Sequence, residues 1–153
     1  MMNLSSDVIR AYQGRTIATA ESCTGGMIGA ALTAVSGSSA VYKGGVISYW
    51  SQVKEELLAV DGATLSNFGA VSFTTAMEMA AHVRTLLKTD AAVSVTGLAG
   101  PDGDGSANPV GTVFVGFANE KVVIAREYHF DGDRQQIRQQ AVIAALNLLL
   151  EMQ

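Results

Sequence analysis

The sequence predicts an α/β fold, a three-layer α/β/α sandwich with a mixed β-sheet, from three features. Strand-like apolar runs alternate with helical periodicity along the chain. One run, "DAAVSVTG", is almost uniformly apolar, as a strand covered on both faces must be. A third stretch, "GTVFVGFANEKVVIAREYHF", alternates on either side of Asn119 and Glu120 as a hairpin does, and so adds an antiparallel pair to an otherwise parallel sheet.

Each element has its own signal. Leu4, Val8, Ile9 and Tyr12 recur at helical spacing, and Gly14 ends that first helix. "TIATA" is a short strand. From Gly25 onward Met27, Ile28, Ala31, Leu32 and Val35 keep a period of 3.6, and "SGSS" stops them. "GGVISYW" is a second strand, rich in β-branched and aromatic residues. A helix follows from a junction near Ser51, with Val53, Leu57 and Val60 expected on one face. Ala76, Ala80, Val83 and Leu87 mark a longer helix before the central strand, and the closing helix runs from about Arg134 to Leu150. Asp133 with Gln136 forms the capping-box pattern that would start it.

Composition narrows the function classes. The 153 residues are expected to form one domain, residues 1–153, without internal repeat or linker. Fourteen acidic against ten basic side chains, and a pI near 5.0, argue against a nucleic-acid partner. No apolar run reaches the roughly 20 residues that cross a bilayer, so no membrane partner is expected. The single cysteine excludes an internal disulfide, and the first residues lack the layout of a secretory signal, which points to a cytoplasmic location. Asp102, Asp104 and Ser106 resemble a calcium loop only superficially, since Ala107 and Val113 stand where its glycine and glutamate belong. No metal and no cofactor are expected. Strand edges and an apolar last helix make a homo-oligomer an expectation.

The chemistry-bearing stretch is "ATAESCTGGMIG", Ala18 to Gly29. In open α/β sheets, ligands bind at the carboxyl ends of strands, where the amides of the next helix start are free to donate. If that helix begins near Thr24, the amides of Cys23, Thr24, Gly25 and Gly26 face an anion or an oxyanion, and the two glycines let it approach. The plainer alternative is that Ser22 or Thr24 only caps the helix. A phosphate loop fits poorly, because the Gly-Lys-Ser/Thr ending is missing. Ser22 becomes a nucleophile only beside a base. His82 and His129, in a helix and a late hairpin strand, fit packing or surface roles better. Lys54, in the first turn after "GGVISYW", is the other option. It works near neutral pH only if desolvation by neighbours such as Tyr49 and Trp50 lowers its pKa by about 3, at roughly 4 kcal/mol. An ordinary solvated lysine is the alternative. Cys23, beside Ser22, is a competing nucleophile if a helix end lowers its pKa. Glu21 is either a structural carboxylate at the helix start or a partner for Lys54.

Together "ATAESCTGGMIG", "GGVISY" with Lys54 five residues after Tyr49, "FGAVS", "VSVTGLAGPDG", "PVGTVFVGFA" and "GDRQQIRQQA" resemble the carboxy-terminal domain of the CinA (competence/damage-inducible) family, from about Leu4 to Leu150. That family includes stand-alone nicotinamide mononucleotide deamidases. The resemblance implies an amidohydrolase that converts a small-molecule pyridine nucleotide, nicotinamide mononucleotide, to the nicotinic acid form and ammonia, with a serine nucleophile and a lysine base. Those roles fall on Ser22 and Lys54, and Tyr49 and Arg138 match residues tied to activity. The substrate's phosphate calls for a cation: Arg134 and Arg138, four apart on one face of the last helix, fit it, with surface ion pairing as the alternative. Gly97 and Gly100 belong to a loop expected to wrap the ligand. Trp50 and Ser51 depart from the family pattern, where a small and an amide-bearing residue are usual. A noncatalytic nucleotide-binding module in competence or DNA-damage responses is the other function class.

Overall fold

The computed structural model describes residues 1–153. Chain order is α1 (Met2–Ala11), β1 (Ile17–Glu21), α2 (Met27–Thr33), a 3-10 turn (Ser38–Ala40), β2 (Tyr42–Ile47), α3 (Ser51–Glu56), α4 (Gly62–Phe68), α5 (Phe73–Leu87), β3 (Ala91–Gly97), β4 (Thr112–Asn119), β5 (Val123–His129) and α6 (Arg134–Glu151). The strands form one mixed sheet in the order β2-β1-β3-β4-β5. β1 pairs in parallel with both β2 and β3, whereas β3–β4 and β4–β5 are antiparallel.

The side-chain period of two divides each strand between the two faces. Ile17, Val93, Val95, Val113, Val115 and Phe117 pack with α1, α2 and α6 into the larger core, which also takes Val8, Ile28, Leu32, Ile137 and Leu146. Ala18, Ala20 and Ala92 face the other way, onto Met79 and Val83 of α5 and onto Leu58 and Val60. Small residues on that face let α5 lie close to the sheet. Ser94 donates to the Ala76 carbonyl at 2.6 Å. Its cross-strand partner Gly116 has no room for a Cβ, which would collide with the same carbonyl. The three layers expected from the sequence are therefore present. No helix is long and apolar enough to cross a membrane.

Three local expectations are corrected. α2 begins at Met27 rather than near Thr24, with Gly26 as its N-cap in the left-handed region (φ 102°). The helix after β2 stops at Glu56, so Val53, Leu57 and Val60 do not share a face. The chain turns through Ala59 at φ 53°, the Val60 amide returns to the Lys54 carbonyl, and Leu57 is 52% exposed while Leu58 is buried. β2 starts two residues before the expected "GGVISYW" and ends at Ile47, which leaves Ser48, Tyr49 and Trp50 as connecting chain. α4, capped by the Asp61 side chain, carries only Leu65 and Phe68 as large apolar residues and shows no helical period in the sequence.

Candidate active site

Because β1, β2 and β3 run the same way, their carboxyl ends open on one edge of the sheet, with β1 in the middle. The connection to β2 leaves that edge on one side of β1 and β3 lies on the other, the arrangement in which a crevice forms. Ser22 is the first residue after β1. Its amide donates to the Val95 carbonyl (2.9 Å), and the Ser48 amide donates to the Glu21 carbonyl (2.8 Å), so the ladder extends one step past each strand and fixes the Ser22 backbone.

α3 delivers the base. Lys54 is 1% exposed, and its Nζ lies 2.8 Å from Ser22 Oγ, 2.5 Å from the Ser48 carbonyl oxygen and 3.4 Å from that of Tyr49. No carboxylate is among its partners, and burial lowers its pKa from 10.5 to about 8. A neutral amine has two N–H bonds and one lone pair. With the two hydrogens directed to the two carbonyls, the lone pair is left for the Ser22 hydroxyl. Cys23 is shifted the other way. Burial raises its thiol to about 11, so it stays protonated near neutrality and is a poor nucleophile.

The turn between Ser22 and α2 is fixed from two sides. Glu21, 2% exposed, accepts from the Thr24 hydroxyl (2.7 Å) and from the amides of Gly26 (3.2 Å), Ile28 (2.9 Å) and Gly29 (3.0 Å). Its role is settled by that set: it closes the start of α2 and does not touch Lys54. On the other side the Arg138 guanidinium donates from Nε to the Cys23 carbonyl (3.0 Å), from Nη2 to the Thr24 carbonyl (3.3 Å) and from Nη1 to Gln135 (3.2 Å). The amides of Gly25 and Gly26 are thus taken, by the Ser22 carbonyl and by Glu21, contrary to their expected role as donors to a ligand. Those of Cys23 and Thr24 have no acceptor within the protein. At Gly26 an added Cβ would press on Ile47 at 3.1 Å in addition to the cost of its positive φ.

A cleft of about 240 Å³ opens above the Ser22–Lys54 pair, at the small end for a ligand pocket. Ser22, Cys23, Tyr49, Lys54, Gly97 and Arg134, all named from the sequence, line it, and so do Thr96 and Asp104, which sequence reasoning did not select. Arg134 stands at the mouth, donating to the Gly100 carbonyl (2.7 Å) and to the Tyr49 hydroxyl (3.1 Å). The Tyr49 phenol therefore meets Arg134, and only its carbonyl reaches the lysine. Thr24, Gly25, Gly26, Gly100 and Arg138 do not line the cleft: they shape the turn and the wall behind it. His82, bonded to the Leu58 carbonyl, and His129, bonded to Glu127, also lie outside it.

A family model described as the CinA C-terminal domain matches residues 3–153. A CinA-like protein of Endomicrobium trichonymphae is 47% identical over 135 residues, 88% of this chain and 32% of the relative. A CinA-like protein of Geotalea daltonii is 44% identical over 136 residues, 89% of this chain and 33% of the relative. The chain thus spans about a third of the length of the curated relatives it matches. Among solved structures, a competence/damage inducible protein from Agrobacterium tumefaciens superimposes with a TM-score of 0.94 at 38% identity, covering 98% of this chain and 93% of that one. The competence damage-inducible protein A from Klebsiella pneumoniae gives 0.95 at 34% identity, covering 98% and 94%. Sequence match and fold agree, and the chain belongs to the CinA C-terminal domain family.

Proposed function

We propose that the chain is an amide hydrolase acting on nicotinamide mononucleotide through Ser22 and Lys54. The observation that carries this reading is the 2.8 Å contact between Lys54 Nζ and Ser22 Oγ, made by a lysine that burial keeps partly neutral at physiological pH. Lys54 takes the Ser22 proton as the oxygen attacks the carboxamide carbon, and the tetrahedral oxyanion is met by the amide of Cys23, the unpaired amide of a residue on the cleft. Lys54 returns the proton to the amide nitrogen, the C–N bond breaks, and ammonia leaves. Water then attacks the acyl-serine ester with Lys54 as base, and the carboxylate product departs as Ser22 regains its proton. Arg134, at the mouth, suits the substrate's phosphate.

The experiment is an ammonia-release assay with purified protein on nicotinamide mononucleotide and on simple amides. Turnover of the mononucleotide is expected, with Ser22→Ala and Lys54→Ala each lowering kcat/KM at least about a thousandfold and Cys23→Ala changing it less than about threefold. An active Ser22→Ala protein, or a dead Cys23→Ala protein, overturns the assignment. Tight binding with no turnover would make the chain a nucleotide-binding module instead.

A further inference from the structure

The cleft is small for the ligand proposed. Its volume of about 240 Å³ falls short of the roughly 300 Å³ at which ligand clefts begin, and nicotinamide mononucleotide brings a ring, a ribose and a phosphate. One wall therefore has to move, and most of them are locked. Backbone hydrogen bonds to Val95 and Ser48 fix the strand end at Glu21 and Ser22, and two carbonyls hold Lys54. The Thr96 hydroxyl donates to the Ala70 carbonyl (2.7 Å) and so ties the connection between α4 and α5 to β3.

The wall made by Ala99 and Asp104 is different. It belongs to the connection between β3 and β4, residues 99–110. The base of that segment is closed by the Gly111 amide on the Leu98 carbonyl (2.8 Å) and by the Thr112 hydroxyl on the Pro109 carbonyl (2.7 Å). Beyond the base, two hydrogen bonds join it to the rest of the molecule: Arg134 Nη1 to the Gly100 carbonyl (2.7 Å) and Asn108 Nδ2 to the Val71 carbonyl (3.1 Å). Residues 101–107 are all exposed. Inside the tip, Asp104 Oδ1 accepts from the Ser106 amide (3.0 Å) and the Ser106 hydroxyl accepts from the Asn108 amide (3.2 Å), so the tip keeps its shape as it moves. Gly100, at φ 79°, stands at one end, where an added Cβ would collide with the Val110 side chain at the other. A segment so exposed and so sparsely bonded opens at little cost, independently of the core.

We propose that residues 99–110 form a lid over the Ser22–Lys54 cleft, that it swings as one piece about its base, and that the hydrogen bond from Asn108 to Val71 is its catch. The lid rests on the hydrolase reading only for the size of the ligand it admits, since its opening belongs to the free chain. Cys23, the only cysteine, can report that opening: it lines the cleft at 5% exposure, in one apolar cluster with Ala99.

Alkylation of Cys23 by iodoacetamide, without substrate, is followed by mass spectrometry. Asn108→Ala, and Asn108→Asp, which keeps the shape and loses the donor, should each speed it about fivefold, the effect of one lost hydrogen bond. Below the unfolding transition the rate should be nearly flat in urea, because lid opening exposes little surface. An unchanged rate in both variants overturns the lid, as does a rate that climbs steeply with urea, the mark of labelling through global unfolding. Passage of ligand gives a second test. In a Ser22→Ala protein, stopped-flow quenching of Trp50, the only tryptophan and the neighbour of Tyr49, reads association and dissociation of nicotinamide mononucleotide. Asn108→Ala should raise both rates at least about threefold and change Kd less than about twofold, as loss of a catch requires. Faster dissociation alone would make Asn108 an ordinary binding contact and overturn the gate. Faster alkylation in a chain that neither binds nor cuts the mononucleotide would sink the hydrolase reading and leave the lid standing.

Discussion

Of the helices that start beside the cleft, α6 and α2 are each closed by a carboxylate, by different routes. At α6 Asp133 and Gln136 exchange hydrogen bonds across three residues on an exposed surface, so the cap is complete within one turn of chain. At α2 the carboxylate comes from the strand before it: Glu21 is buried and reaches amides as far along as Ile28 and Gly29. The first device is local and adds about 1 kcal/mol to one helix. The second ties strand, turn and helix together directly beneath Ser22, so that the amides left unpaired are those of Cys23 and Thr24. One cap ends a helix, while the other decides which backbone groups remain for chemistry.

The sharpest way to break this contrast is Glu21→Ala. It removes the acceptor of three amides and a hydroxyl in the interior, and a loss of about 4 kcal/mol in unfolding free energy is expected, read as a lower urea midpoint with an unchanged slope. Glu21→Gln keeps an acceptor and should recover part of it. Next in size is Arg138→Ala, which frees the Cys23 and Thr24 carbonyls. We expect kcat on nicotinamide mononucleotide to fall about a hundredfold with KM changed less than about threefold, the pattern of a loosened turn. A rise in KM alone would instead place Arg138 against the phosphate.

A third test uses pH. With Lys54 near 8, kcat/KM should rise about tenfold from pH 7 to a plateau above pH 8, with unit slope on the acid limb. The same shift bears on stability. The folded chain releases this proton at a lower pH than the unfolded chain, whose lysine titrates near 10.5, so the folded state gains as pH rises from about 8 to 10.5. Below 8 the cost of a buried ammonium is constant. Smallest is Asp133→Ala. It should cost about 1 kcal/mol in stability, measured by thermal melting, and change kcat/KM less than about twofold, since the start of α6 serves the site only by aiming Arg134 and Arg138.

What could be read from the sequence follows the same division between local and distant contacts. The α6 capping box, the uniform apolar β3 and the β4–β5 hairpin are short-range patterns and are found where expected. Ser22 and Lys54, 32 residues apart, could be paired only because both follow parallel strands, with the family resemblance to choose between them and the alternatives. Glu21 was ambiguous because its partners lie three to eight residues ahead, across a turn whose shape the sequence does not state. α4 escaped notice because its one buried face is made by Thr64 and Leu65, too few apolar residues to set a period. Asp104 looked like an ordinary polar turn residue, and nothing local says that its loop folds back over the strand ends.

The route by which the pKa of Lys54 is lowered has a consequence for how the protein tolerates its surroundings. Solvent exclusion, rather than a neighbouring cation, supplies the shift. Added electrolyte screens fields that cross water but leaves a dry pocket dry. The midpoint of the acid limb should therefore stay put from dilute buffer to concentrated brine, and would move only if the packing over the amine were opened.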